Sequence, residues 1–164
     1  MNYRGEGMTY CLQQLHSQFL SFVVGVSTGL LVWLIRKELE KRRKRSVFLK
    51  MITRELEENV RRLERMIDEP DECHLDVYIT SAWDAVVNSG EIYTLGGSDI
   101  LENVMRAYTL LKIDSKWEEF RLRLYITHQI TDMYRGFVAQ ILDNRRRILA
   151  ELRRVLKILK ERVK

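Results

Sequence analysis

A run of uncharged, mostly apolar residues from Leu15 to Ile35 constrains the fold of this chain more than any other feature. A helix rises about 1.5 Å per residue and the hydrocarbon core of a bilayer is roughly 30 Å thick, so about 20 apolar residues cross it. The run ends abruptly in Arg36-Lys37 and the tract 41–45. Trp33 lies near this basic end, where an indole ring prefers the headgroup boundary.

Two other interpretations of the run are a buried core helix and a cleaved signal peptide. A soluble core helix is rarely apolar on every side over this length and then followed by a basic block. A signal peptide carries its charges before the apolar run and a small-residue cleavage site after it. Here the basic residues follow the run and no such site appears, so the sequence predicts a membrane-spanning helix.

The charges on the two sides of the run predict its orientation. Residues 36–45 contain seven Lys or Arg and two Glu, a net charge of +5, whereas residues 1–35 contain one charge of each sign. Because positive flanks stay in the cytoplasm, the N-terminus is predicted outside and the C-terminus inside the cell membrane. The predicted divisions are an extracytoplasmic tail at 1–14, a transmembrane helix at 15–35, a basic juxtamembrane segment at 36–45 and a cytoplasmic helical bundle at 46–164.

Small residues form one stripe on the predicted membrane helix. Ser21, Gly25 and Gly29 are four residues apart, and Gly25 and Gly29 match the GxxxG pattern that lets two helices approach closely in lipid. The three residues are therefore candidates for membrane dimerisation. Chance spacing on a lipid-facing surface is the alternative.

Charge is unevenly distributed over the rest of the chain. Residues 46–143 have a net charge of −7 and residues 144–164 a net charge of +7. If the last helix runs antiparallel to the first helix of the bundle, both basic regions face the anionic inner leaflet, where each residue contributes about 1 kcal/mol. A solvated helix face is the alternative, and interleaved apolar residues argue against nucleic acid. The lipid-facing candidates are Arg36, Lys37, Lys41, Arg42, Arg43, Lys44, Arg45, Arg145, Arg146 and Arg147.

Apolar residues at helical spacing predict an all-α bundle in the cytoplasm. One stripe follows residues 46–69, which Pro70 and an acidic stretch terminate, and a short helix is expected over Val77–Asn88. Breaks are predicted at 88–90, at 95–98 and at Asp114, where Ser115 and Glu118 have capping-box spacing. Residues 116–164 fit one long helix or two helices separated near Thr127–Gly136. Short connections favour antiparallel neighbours.

The sequence carries no recognisable catalytic or cofactor motif. It lacks a P-loop, G-x-S-x-G and H-E-x-x-H, and no cofactor is expected. Cys73 beside His74 has no second pair of ligands, so a metal site is not indicated. Glu55 and Asn59 fall beside the apolar stripe of the first bundle helix and are predicted to be buried polar residues. Such residues more often fix helix register than bind a ligand.

A loose pattern runs through the predicted bundle. It consists of Glu55-Leu-x-x-Asn59, then Trp83 followed by Ser89-Gly90, then Leu101 with Tyr108 in the next helix. Over residues 48–145 it resembles uncharacterised prokaryotic single-pass membrane proteins with a cytoplasmic helical domain, of the kind catalogued as domains of unknown function. The resemblance implies an all-α cytoplasmic domain and brings no activity.

The sequence therefore favours a membrane-anchored interaction or scaffold module. The expected partners are membrane lipid, an unidentified cytoplasmic protein and possible further copies of the chain. A membrane-active or lipid-surface protein is the alternative. An enzyme is the third class, which a pocket gathering Glu55, Asn59 and Tyr108 would support.

The predicted orientation can be tested with a cysteine introduced near Asn2. Because the tail is expected outside, this thiol should react with a membrane-impermeant reagent in intact cells. Reaction only after permeabilisation would contradict the orientation.

Overall fold

The computed structural model describes residues 6–70, 78–126 and 132–163, and the side chains of residues 18–70, 78–126 and 134–162. The described chain is all-α. Its elements are α1 (Glu6–Asp68), α2 (Ser81–Asn88), a 3-10 helix (Glu91–Leu95), α3 (Ser98–Ile126) and α4 (Asp132–Val163). The chain divides into two compact units, Met1–Arg43 and Lys44–Lys164.

The first unit contains a helical segment long and apolar enough to cross a membrane. The apolar side chains from Phe19 to Ile35 are exposed, and the most apolar stretch of this helix is not covered by other parts of the protein. Thr28 satisfies its hydroxyl inside the helix by donating to the carbonyl of Val24 at 2.8 Å. The ammonium of Lys37 lies 4.8 Å from the ring centre of Trp33, a cation–π contact at the basic end.

The second unit, Lys44–Lys164, is a bundle whose segments alternate in direction. The segment from Tyr78 to Leu95 runs antiparallel to α1, α3 runs parallel to α1, and α4 runs antiparallel to both. The contacts that fix these directions are Asn59 with Ile79, Arg45 with Leu95, Glu55 with Tyr108, Arg121 with Pro70, Glu64 with Arg153 and Glu57 with Lys160. The predicted antiparallel relation between the first and last bundle helices is thus observed within this unit.

One apolar core joins these segments. It takes the predicted stripe of α1, the inner face of α2, and the inner faces of α3 and α4, as helical periodicity requires. The least exposed members are Ile52, Leu56, Leu63, Val86, Leu95, Val104, Ala107, Leu111, Leu152 and Val155. Because the core is contributed by every segment, no helix of the bundle buries its apolar face alone.

The predicted break at Asp114 is wrong, because α3 is continuous from Ser98 to Ile126. Ser115 does not cap a helix: its hydroxyl donates to the carbonyl of Leu111 at 3.0 Å, within α3. Asp114 is only 1% exposed and accepts hydrogen bonds from other segments. Asp114 therefore connects α3 to other segments, whereas the local pattern resembled a helix end.

Two questions of helix length are also answered. The predicted membrane helix continues into the first bundle helix, since α1 extends unbroken from Glu6 to Asp68. Residues 116–126 and 132–163 belong to two helices, because α3 ends at Ile126 and α4 begins at Asp132. The connection at 127–131 and the acidic stretch at 71–76 lie outside the described residues.

Two glycines shape the turns on either side of the 3-10 helix. Gly90 has φ +70° and follows Ser89, the C-cap of α2, at the predicted break. Gly96 has φ +121° and ψ −166°, a backbone region essentially restricted to glycine. There the chain lies against Arg45, whose Nε donates to the carbonyl of Leu95 at 3.1 Å. A Cβ at Gly96 would collide with the Arg45 guanidinium.

Replacing Gly96 by Ala should destabilise the bundle. We expect a loss of about 1–3 kcal/mol, because alanine must adopt a strained φ and displace the Arg45 guanidinium. Urea unfolding of the full-length chain in detergent micelles, followed by tryptophan fluorescence, measures the loss. Gly97→Ala is the matched control, since a Cβ there has no neighbour within 4 Å. Equal midpoints for the two variants would contradict this account.

Candidate functional site

Glu55 lies on the buried face of α1 and caps the N-terminus of α2. Its carboxylate accepts hydrogen bonds from the backbone N–H groups of Ala82 at 2.6 Å and Trp83 at 3.3 Å. The hydroxyls of Ser81 at 3.0 Å and Tyr108 at 2.5 Å also donate to it. The first N–H groups of a helix lack partners inside it, and the positive end of the helix dipole favours a carboxylate. One side chain therefore joins α1, α2 and α3.

Asn59, one turn further along α1, holds the chain just before α2. Its Nδ2 donates to the carbonyl of Ile79 at 2.7 Å, and its Oδ1 accepts from the N–H of the same residue at 2.8 Å. Next to this pair the rings of Trp83 and Tyr108 stack, with centroids 5.1 Å apart and an angle of 11° between their planes. The pattern residues Glu55, Asn59, Trp83 and Tyr108 thus come together around the start of α2.

A second buried polar cluster surrounds Arg145 on α4. Its Nε lies 3.1 Å from Asp114 Oδ2, and its Nη2 lies 2.5 Å from Glu118 Oε2. The hydroxyl of Tyr78 donates to Asp114 at 2.6 Å. Arg121 also pairs with Glu118. All four charged side chains are less than a tenth exposed, so the cluster replaces water with protein partners on every group.

Arg121 also ties α3 to the end of α1. Its Nη1 donates to the carbonyl of Pro70 at 2.7 Å. Pro70 lies two residues beyond Asp68, the last residue of α1, so its carbonyl takes no part in the hydrogen bonds of the helix. The guanidinium therefore satisfies a free carbonyl while its other nitrogens bind Glu118.

Burial and neighbouring groups shift the pKa values of Tyr78, Tyr108 and Arg145 in these clusters. Burial and the hydrogen bond to Glu55 raise the pKa of Tyr108 well above its usual value, and burial and the charge of Asp114 do the same for Tyr78. Both phenols therefore remain donors. Burial lowers the pKa of Arg145, but Asp114 and Glu118 outweigh it and hold that pKa above the ordinary value.

Arg145 was predicted to face lipid, and this prediction is wrong. Only 1% of the residue is exposed, because its guanidinium neutralises two buried carboxylates. Sequence reasoning also missed Asp114, Glu118 and Arg121 as core residues. The available signal was spacing: they continue the stripe of Val104, Tyr108 and Leu111 at intervals of three and four residues.

The other lipid-facing candidates differ in their surroundings. Lys44 pairs with Glu91 at 2.9 Å, and Arg45 binds the carbonyl of Leu95, so both help to hold the 3-10 helix. Arg147 pairs with Asp143 on the surface. The remaining candidates are exposed: Arg36, Lys37, Lys41, Arg42, Arg43 and Arg146.

The dimerisation candidates in the first unit have open space around them. A Cβ at Gly25 or Gly29 would meet no atom within 4 Å, and Ser21 is exposed. All cysteine and histidine side chains lie outside the described ones. Among the side chains that are described, no three carboxylates cluster as a metal site.

An aromatic patch lies on the outer side of α3 and α4. We define the α3–α4 patch as Ile113, Trp117, Phe120 and Phe137. The first three are 46%, 41% and 48% exposed. The Phe137 ring lies 5.6 Å from the Trp117 ring and 5.3 Å from the Phe120 ring, in tilted and edge-to-face arrangements. The rings of Trp117 and Phe120 therefore pack on Phe137 while these two residues stay nearly half exposed.

A groove continues from this patch between the two helices. It has a volume of about 340 Å³ and an apolar floor that includes Leu110, Ile113 and Ile148. Arg106 and Glu151, which pair at 3.3 Å, lie on its rim. By contrast, the polar atoms of Glu55 and Asn59 are occupied by the chain around the start of α2.

Comparison of the chain with protein-family models, curated proteins and solved structures finds no match.

The buried cluster predicts opposite behaviour for two neighbouring arginines. Arg145→Met should cost about 3–5 kcal/mol, because Asp114 and Glu118 would be left buried with too few partners. Arg146→Met should change the free energy of unfolding by about 0.5 kcal/mol or less, because Arg146 is exposed. Urea unfolding of both full-length variants in the same micelles makes the comparison. Similar midpoints would show that the Arg145 cluster does not stabilise the bundle.

Proposed function

We propose that the chain is a single-pass membrane protein whose helical bundle serves as a cytoplasmic interaction or scaffold module. In this proposal the N-terminus lies outside the cell membrane and the bundle lies inside. The exposed apolar side chains from Phe19 to Ile35 support the anchor, since their exposure is favourable in hydrocarbon and unfavourable in water. The excess of positive charge over residues 36–45 supports the orientation.

The α3–α4 patch is the observation that carries the interaction role. The bundle gives its buried charged groups ionic or hydrogen-bonding partners, yet leaves Trp117 and Phe120 nearly half exposed on the same side of α3. Contiguous exposed aromatic surface is uncommon on a protein with no partner, and aromatic residues are enriched at interfaces. The patch therefore supports binding of another protein more directly than it supports chemistry on a small molecule.

Binding of anionic lipid is the second candidate. Six cationic side chains of the juxtamembrane segment are exposed, namely Arg36, Lys37, Lys41, Arg42, Arg43 and Lys44. Cationic residues next to a membrane helix attract anionic headgroups. This activity would accompany the anchor, and it does not account for the exposed rings of the α3–α4 patch.

Photo-crosslinking in membranes tests the interaction role. A photoreactive amino acid replaces Lys116, which is exposed beside Trp117, in the full-length chain. We expect discrete protein adducts. Replacing both Trp117 and Phe120 by Ser should lower their yield about tenfold or more, because aromatic side chains at an interface centre dominate binding.

The control places the same photoreactive residue at Tyr93, which is 83% exposed on the 3-10 helix. Equal adducts from positions 93 and 116, or adducts unaffected by the double replacement, would contradict the proposal. A third variant replaces Lys41, Arg42 and Arg43 by Gln. If this variant loses the anionic lipid that co-purifies with the chain, and no other variant changes either lipid or adducts, lipid binding becomes the better supported function.

A further inference from the structure

We propose that the α3–α4 patch binds the same patch on a second copy of this chain. The inference rests on the proposed interaction function and names its partner. An aromatic side chain has about 150–250 Å² of surface that burial can remove from water. The exposed parts of Ile113, Trp117 and Phe120 therefore amount to roughly 300 Å². Apolar patches of this size on a single molecule often mark a functional surface. The rings supply the apolar centre that a protein interface requires.

The charges around the patch favour a copy of the same surface. Arg147 lines the groove and pairs with Asp143 at 2.8 Å, and Arg106 pairs with Glu151 at 3.3 Å on the groove rim. Charges of both signs therefore lie beside the patch. In a two-fold contact each residue faces a residue of the same patch, and a rim of one sign would repel its copy. A rim of both signs can instead exchange partners across the axis.

The area of the patch also favours an anchored partner. A standard interface buries about 800 Å² on each side, so roughly 300 Å² of apolar surface provides only its centre. The remainder must come from the polar rim and from the groove beside Arg106 and Glu151. Contacts of this kind are weak between free proteins. Two copies anchored in one membrane bring their bundles to a high effective concentration, which a soluble partner lacks.

Disulfide trapping tests the second copy directly. The full-length chain carries Cys11→Ser and Cys73→Ser, and Lys116→Cys places one thiol at the centre of the proposed contact. Two differently tagged copies are expressed together and oxidised in membranes. We expect a linked dimer that carries both tags. In a further variant with Trp117→Ser and Phe120→Ser, the linked fraction should fall about tenfold or more.

Two controls separate this contact from other ways of pairing. Tyr93→Cys in the same background should give little dimer, and equal linkage at 93 and 116 would indicate random collision and overturn the inference. Gly25→Leu with Gly29→Leu disrupts the candidate face of the membrane helix. If these replacements abolish linkage while the two Ser replacements leave it intact, pairing occurs through the membrane helix and the inference is wrong.

The result also distinguishes this inference from the proposed function. Photo-adducts from position 116 to a different protein, without self-linkage, would overturn the second copy and retain the interaction module. Absence of both self-linkage and adducts would overturn both. Because Trp117 and Phe120 are exposed, their Ser variants are expected to keep the thermal midpoint of the parent chain, which circular dichroism in micelles measures. If the Ser variants unfold at a lower temperature than the parent chain, the milder Phe120→Leu variant replaces them in the test. Its linked fraction should still fall.

Discussion

The carboxylate of Glu55 is the interaction on which the bundle depends. A buried charge is tolerated only where hydrogen bonds replace its water, and here the donors come from two other segments. The short helix α2 has only eight residues and would be marginal alone, so its position follows from the cap that α1 supplies. With α2 in place, Trp83 stacks on Tyr108 and α3 is aligned against α1.

Arg145 fixes the remaining helix in a similar manner. Its two carboxylate partners lie one turn apart on α3, so only one placement of α4 brings the guanidinium within reach of both. Apolar contacts tolerate sliding and repacking, whereas a buried charge with unmatched partners is strongly unfavourable. The two polar clusters together therefore specify which helices are neighbours and in what register. The apolar core supplies the free energy of burial.

Local spacing predicted much of the fold. The apolar run and the stripe through Ile52 and Leu56 depend on a period of 3.6 residues, which the chain displays openly. The Arg145 cluster could not be predicted in this way, because its partners on α3 are about 30 residues distant and their pairing has no local signature. Asp114 also suggested a helix end, since acidic residues followed by Ser favour caps. Its position on the stripe of Leu111 was the better guide.

The same clusters explain why the α3–α4 patch stays on the surface. For Trp117 and Phe120 to become buried within one chain, α3 would have to rotate or slide against α4. That movement would separate Arg145 from Asp114 and Glu118, leaving a buried guanidinium without its carboxylates and two buried carboxylates without its charge. Burial between the described parts of α3 and α4 is therefore unfavourable for these rings, and so is their exposure to water. Contact with another molecule would remove them from water, and the proposed second copy would provide it.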